Sequence, residues 1–156
     1  FEHNRLDILS LAALAAHLAE LIDPDGTTAR YHPGDRLAAA RPFLARDCGD
    51  EAVRLLDPLT CCGSPDTARE ASRELSLHHR RAGRWAAAVV LWKEMVRRDE
   101  NDLFALVELA KWQEHRRRDF VRALELTECA CACRLTPEER AALARRRERL
   151  ERKLAG

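Results

Sequence analysis

Two similar ten-residue segments, 35 positions apart, place the strongest constraint on how this chain can fold. The segments are GRWAAAVVLW and RDFVRALELT, in which Trp85 corresponds to Phe120 and Ala88 corresponds to Ala123. In each segment an aromatic residue follows a turn, and a small residue three positions later allows a neighbouring helix to approach closely. Self-similarity at such a period is typical of stacked helix pairs, so the pattern predicts a repeat protein.

Helix start and stop signals divide the remainder of the 156-residue chain into further helices and turns. Ser64-Pro65 is a start signal, Gly83 is a stop signal, and Thr136-Pro137-Glu138-Glu139 has the pattern of a capping box. A third, compressed copy of the repeat segment, GDEAVRLL, occupies residues 49–56. The predicted helices are 6–22, 35–47 with a distortion at Pro42, 51–59, 64–82, 84–98, 101–117, 119–134 and 136–154.

The pattern of helix, short turn and helix resembles tetratricopeptide repeats, whose period is about 34 residues. We therefore predict an all-α fold in which antiparallel helix pairs stack as a short tetratricopeptide-like solenoid, preceded by one long helix. That leading helix is apolar nearly all round, which is typical of a helix buried on several sides. We expect part of its packing surface to come from sequence preceding Phe1. Without that sequence, its apolar sides predict a homodimer formed through the first helix.

His3 and Asp7 are four positions apart and share one face of this first helix. An Asp near a helix start can hold a metal ion while the His accepts or relays a proton. The alternative is a helix-capping Asp beside an incidental His near the terminus.

Two stretches, EHNRLDILSLAALAAHLAEL at 2–21 and LAKWQEHRRRDFVRALELTE at 109–128, resemble the YprB-like ribonuclease-H-like proteins. In that family an exonuclease-type domain of the DEDD class precedes a helical repeat region. The resemblance implies that residues 1–22 are the last helix of the exonuclease domain, 23–34 a linker and 35–156 the tetratricopeptide-like repeat region. It also implies that Asp7 is the fourth metal-binding carboxylate and that His3 orients or deprotonates the attacking water.

The other three carboxylates of such a site are not found in this sequence. Mg²⁺ or Mn²⁺ is therefore expected as a cofactor of the full-length protein only, and this chain alone is predicted to bind none and to be inactive. The function implied is that of the C-terminal helical-repeat portion of a 3′-5′ exonuclease-type protein, which positions nucleic acid or a partner. A non-catalytic protein-protein interaction module is the alternative.

Charge is distributed unevenly along the chain, although the formal net charge is only +1. Residues 1–78 carry 8 basic and 13 acidic side chains, whereas residues 79–156 carry 19 and 13. Two basic segments, HHRRAGR at 78–84 and HRRR at 115–118, occupy equivalent turns, which we call the basic turns. Stacking of the repeats would bring them to one edge that binds a phosphate backbone. The alternative is a solvated rim balanced by Glu94, Glu114 and Asp119. The predicted nucleic-acid-binding residues are Arg80, Arg81, Arg84, Arg116, Arg117 and Arg118.

Six cysteines, with no C-x-x-C pair and no secretory leader, predict reduced thiols in a cytoplasmic protein. Cys129 and Cys133 share a helix face, which raises a metal site as one interpretation. Buried thiols that replace alanine in helix packing are the other. Trp85, Trp92 and Trp112 are predicted to be packing residues of the repeats. The apolar run 6–22 is too short and too often interrupted to span a bilayer, so no membrane association is expected.

Overall fold

A computed structural model describes residues 32–45, 49–62 and 64–155, and these residues form helices and turns without a β-strand. Short turns of 3-10 helix (Asp57–Thr60) and π-helix (Gln113–Arg117) extend the second and fifth α-helices. None of the helices in the described ranges is both long and apolar enough to cross a membrane. The α-helices are α1 (Pro33–Ala45), α2 (Gly49–Leu56), α3 (Pro65–Arg81), α4 (Trp85–Arg98), α5 (Leu103–Trp112), α6 (Phe120–Cys131) and α7 (Pro137–Ala155).

Contacts divide the chain into two compact units, Phe1–His78 and His79–Gly156. The boundary coincides with the change in charge along the sequence, so the second unit carries a net charge of +6 from 19 basic and 13 acidic residues. All three tryptophans also belong to the second unit.

In the first unit, α1 packs against α2, and Arg41 of α1 is joined to two acids of α3. Its guanidinium contacts Glu74 at 2.8 Å and Glu70 at 3.3 Å. Gly49 opens α2 against the imidazole of His78, which a Cβ at that position would overlap. The glycine therefore allows a close approach that a larger residue would permit only if the imidazole moved. α1 continues from Pro33 to Ala45 with Pro42 inside it.

In the second unit, each helix from α4 to α7 packs on the next one along the chain. The two alanines of the repeated segments, Ala88 and Ala123, are both completely buried, as their role in close helix approach predicts. Trp92 is also completely buried, whereas Trp85 and Trp112 are partly buried against the same cluster. The buried members of this core are Ala88, Val89, Trp92, Met95, Ala105, Leu106, Leu109, Ala110, Leu126, Ala130 and Leu143.

The turns that precede α4 and α6 have the same backbone conformation at equivalent positions. Gly83 has φ 73° and Arg118 has φ 56°, so both lie in the left-handed region. Glycine adopts this conformation without strain, whereas an arginine adopts it at a cost. The repeat is therefore visible in backbone geometry as well as in sequence. The antiparallel stacking of a tetratricopeptide-like solenoid remains a prediction.

Several helices start with a side-chain cap, and two of these caps are at the positions that the sequence predicts. Thr136 and Glu139 form the predicted capping box: the Glu139 amide donates to Thr136 Oγ1 at 3.2 Å, and the Thr136 amide donates to Glu139 Oε2 at 2.9 Å. Ser64 caps α3 by accepting from the Thr67 amide at 3.2 Å. Asp102 caps α5, a signal that the sequence reasoning did not use.

The structure differs from the sequence predictions at the ends of two helices and at the cysteines. The helix predicted over 101–117 is an α-helix only to Trp112 and then a π-helical turn, and the one predicted over 119–134 ends at Cys131. The prediction of buried thiols is wrong for Cys61, Cys62 and Cys129, which are exposed, whereas Cys131 and Cys133 are partly buried against the core. Burial raises the pKa of the Cys133 thiol, which keeps it protonated.

Candidate nucleic-acid interface

A cation-π contact joins the two basic turns of the second unit. The guanidinium of Arg116, in the π-helical turn before α6, lies over the indole of Trp85 at 4.5 Å from the ring centroid. Trp85 directly follows the first basic turn, which ends at Arg84. The two turns, 35 residues apart in sequence, are therefore neighbours in space. Such a contact contributes about 0.5–1 kcal/mol at an exposed site and fixes the plane of the arginine.

Phe120, the equivalent aromatic residue of the next repeat, also makes a cation-π contact. Lys153 of α7 lies 5.0 Å from the ring centroid of Phe120, the residue that corresponds to Trp85. Arg117 approaches Trp112 less closely, at 5.9 Å. The aromatics of the repeat thus hold cations of the following element at the protein surface.

Glu108 is a buried carboxylate of α5 that binds two cations. Its side chain is 5% exposed, and it accepts hydrogen bonds from Arg80 of α3 and Lys111 of α5. Arg80 is therefore held inward by an ion pair and is less available to a ligand than the sequence suggested.

Glu114 is a completely buried carboxylate in the π-helical turn, and it binds three cations of α7. Arg149 donates two hydrogen bonds to it, at 3.0 and 2.9 Å, and Arg146 and Lys153 each donate one at 2.9 Å. The Nε2 atom of His115 lies 3.7 Å from Glu114 Oε2. These four hydrogen bonds fill the acceptor capacity of the carboxylate.

The pKa of Glu114 reflects a balance between burial and hydrogen bonding. Burial raises the pKa, but hydrogen bonds from Arg149 and Lys153 and the nearby positive charges outweigh it and lower the pKa to about 2. Glu114 is therefore ionised at neutral pH and fixes α7 against the turn that carries Arg116 and Arg117.

The three acids that could neutralise the basic turns are engaged elsewhere. Glu94 binds Arg97 and Arg98, Glu114 binds α7, and the Asp119 carboxylate caps α6 by accepting from an amide at 2.9 Å. In the parts of the chain that the structure describes, none of the three forms an ion pair with Arg81, Arg116, Arg117 or Arg118. The interpretation as a balanced, solvated rim is therefore weakened for the arginines of these turns.

The six arginines predicted to bind nucleic acid consequently have different environments. Arg80 is paired with Glu108, and Arg116 and Arg117 lie over indole rings. The other three are exposed: Arg81, Arg84 and Arg118. Within the described ranges, neither Arg81 nor Arg118 has an ion-pair partner.

His3, Asp7 and the whole of the first predicted helix lie outside the described residues, so their predicted roles, including self-association through that helix, remain predictions. Over residues 32–45, 49–62 and 64–155, no group of three or more His, Cys, Asp or Glu side chains could hold a metal ion.

Sequence reasoning missed the structural role of Glu108 and weighed Glu114 only as a surface acid. A signal for Glu108 was present, because it is the one acid in the apolar stretch LFALVELAKW of α5. A charged residue within such a stretch is buried with partners or faces solvent, and periodicity cannot decide between the two. The partners of Glu114 are 32 to 39 residues away, which no local pattern reveals.

The described residues thus define an all-helical chain in which two basic turns are in contact. The chain is similar to "Uncharacterized protein YprB" of Bacillus subtilis (strain 168), with 32% identity over 97% of this chain. The aligned region is 37% of the length of that relative, so the chain spans little more than a third of it. No family model matches the chain, and no solved structure matches it.

Proposed function

We propose that this chain is the C-terminal helical-repeat portion of a ribonuclease-H-like, 3′-5′ exonuclease-type protein, and that its arginine-rich edge positions single-stranded nucleic acid. The edge consists of the exposed or stacked arginines of the two turns: Arg81, Arg84, Arg116, Arg117 and Arg118. The YprB-like resemblance of residues 2–21 and 109–128 supports the first part. The charge and geometry of the turns support the second.

One observation carries the nucleic-acid proposal: the three acids that could neutralise these turns, Glu94, Glu114 and Asp119, bind other partners. A phosphate backbone would supply the missing negative charge, and binding would release counterions from the strand. Arg116 and Arg117 are oriented by Trp85 and Trp112, which reduces the side-chain entropy lost when they bind phosphate.

The test is Arg81→Glu combined with Arg118→Glu, measured by fluorescence anisotropy with a labelled single-stranded oligothymidylate across a salt series. We expect the affinity to fall by more than tenfold and the salt dependence to flatten by about 0.7 per lost phosphate contact. The matched control is Arg134→Glu combined with Arg145→Glu, which makes the same change in net charge at exposed positions elsewhere. Equal effects of the two double variants would contradict a local interface.

The catalytic part of the proposal concerns the full-length protein. There, Asp7 is the fourth carboxylate that holds Mg²⁺ or Mn²⁺, and His3 orients or deprotonates the water. Two divalent ions supply stabilisation of the entering and leaving oxygens of a phosphodiester when they are bound. We expect Asp7→Ala to abolish metal-dependent exonuclease activity of the full-length protein, and retained activity would remove Asp7 from the site.

A second candidate function, a protein-protein interaction module, is favoured by an apolar surface in the same unit. An open cavity of about 450 Å³ is lined mainly by apolar residues of α7 and the preceding turn: Leu135, Pro137, Ala141 and Ala144, with Arg140 at its edge. Val90 and Val121 are also 66% and 58% exposed. If the arginine double variant leaves nucleic-acid affinity unchanged, this candidate becomes the preferred one.

A further inference from the structure

We propose that Arg149, Lys153 and His115 form a phosphate-binding subsite, held in position by the buried carboxylate of Glu114. The subsite rests on the proposed function, because it would extend the nucleic-acid interface from the basic turns onto α7. It accepts one phosphate group of the bound strand.

The first step is an excess of positive charge around the two buried carboxylates of the second unit. Glu108 and Glu114 together bind five cations, which are Arg80, Lys111, Arg146, Arg149 and Lys153. Among the described residues, these five cations exceed their two buried acids by three positive charges. Charge of this density near a protein surface attracts an anion, and a phosphate group carries the required charge.

The second step is that the outer cations keep hydrogen-bond donors for a ligand. Arg149 uses its Nε and Nη2 atoms on Glu114, so both hydrogens of Nη1 are left over in the hydrogen bonding that the described residues provide. Lys153 uses one of its three donors on Glu114. The side chains of Arg149, Lys153 and His115 are 41%, 35% and 60% exposed.

The third step is that the three groups converge on one carboxylate. Each places a nitrogen within 3.7 Å of a Glu114 oxygen, so their heads lie within a few ångströms of one another. Arg146, by contrast, is only 14% exposed and serves to hold the carboxylate. Because Glu114 already fixes Arg149 and Lys153, a phosphate would bind at little further entropic cost.

The test uses Lys153→Gln and His115→Gln, singly and together, in the full chain. Both variants leave Glu114 with its three hydrogen bonds from Arg146 and Arg149, and urea denaturation of each variant measures the stability that is lost. We expect the double variant to bind the labelled oligothymidylate about tenfold more weakly, with a salt slope lower by about 0.7. The matched control is Lys93→Gln, which removes an exposed lysine of α4 and should leave both quantities unchanged.

A second measurement separates the subsite from the nucleic-acid proposal. Inorganic phosphate is titrated into the wild-type chain while the His115 ring resonance is followed by NMR, with His115 assigned from His115→Gln. A saturable shift that Lys153→Gln weakens supports the subsite, even if the wild-type chain binds no oligonucleotide. The subsite is overturned if phosphate causes no shift. It is also overturned if the wild-type chain binds oligonucleotide and the double variant binds it as tightly as the Lys93→Gln control does.

Discussion

At the scale of single residues, the second unit depends on a few side chains whose environments differ sharply from the average surface. Glu114 is buried and bound by Arg146, Arg149 and Lys153. Removing one partner of such a group leaves buried charge without compensation, which costs far more than losing a surface ion pair. Gly83 and Arg118 differ in another way, because they share a left-handed backbone that only glycine adopts freely.

We expect Glu114→Gln to lower the free energy of unfolding by about 3 kcal/mol, because three cations then lose their shared carboxylate. Urea denaturation followed by tryptophan fluorescence measures this directly. The control is Glu125→Gln, which removes a half-exposed partner of Arg122 and should change the stability by less than about 0.5 kcal/mol.

The lowered pKa of Glu114 also predicts that the effect of Glu114→Gln on stability depends on pH. The pKa of Glu114 is about 2 in the folded chain, below its ordinary value of 4.5, so its stabilising effect is fully present above pH 4.5. As the pH falls from 4.5 towards 2, the unfolded chain binds the proton first and this stabilisation is lost. The stability difference between wild type and Glu114→Gln should therefore shrink over that range. A constant difference would contradict the assignment.

We expect Arg118→Gly to raise the free energy of unfolding by about 0.5–1 kcal/mol, because glycine adopts φ 56° without strain. Gly83→Ala should have the opposite effect, a loss of about 1 kcal/mol, although the added methyl group has no neighbour within 4 Å among the described residues beyond the adjoining ones in the chain. Arg118→Gln is the control, since it removes the charge and keeps the strain. Equal stability of Arg118→Gly and Arg118→Gln would show that strain is not stored there.

At the scale of elements, α7 depends on both of its ends. Its first turn is closed by the capping box of Thr136 and Glu139, and its last two turns carry Arg149 and Lys153 to Glu114. The helix is otherwise strongly polar and buries only Leu143 and Leu150. The cap and the ion pairs therefore stabilise α7 in the second unit alongside the burial of only two leucines.

We expect Thr136→Ala to lower the free energy of unfolding by about 1 kcal/mol, because the Glu139 amide loses its acceptor. Thr136→Ser keeps the hydroxyl oxygen and should retain most of the stability. The comparison by urea denaturation tests the cap itself, and similar losses in both variants would point to the lost methyl group instead.

At the scale of the whole molecule, the boundary between the two compact units lies where the charge of the sequence changes sign. Each unit has its own buried leucines: Leu56 is 0% exposed in the first and Leu106 is 2% exposed in the second. Because the three tryptophans all belong to the second unit, their fluorescence reports on that unit, whereas far-UV circular dichroism reports on helices of both.

We expect Leu106→Ala and Leu56→Ala each to cost about 3 kcal/mol, since each leaves a cavity in a packed core. Leu106→Ala should shift the urea transition seen by fluorescence. Leu56→Ala should shift only part of the transition seen by circular dichroism and leave the fluorescence transition in place. Equal shifts of both signals in both variants would mean that the chain unfolds as one cooperative unit.

The sequence by itself determined the helical class, most helix starts, the equivalence of Trp85 with Phe120, and the burial of Ala88 and Ala123. The helical class and the helix starts follow from local propensity and capping, which act within a few residues, and the equivalences follow from comparing two segments of the chain. The short range of these effects also explains why the predicted helix ends were less accurate than the starts, since the π-helical turn at 113–117 depends on packing.

Only the tertiary structure decided which charges are free to bind a ligand. The sequence presents Arg80, Arg116 and Arg149 as equivalent basic residues, yet one is paired with Glu108, one lies over Trp85 and one binds Glu114. Their partners are 28, 31 and 35 residues away. An ion pair or ring contact over such a distance depends on how the helices pack, because Coulomb interactions and cation-π contacts act through space.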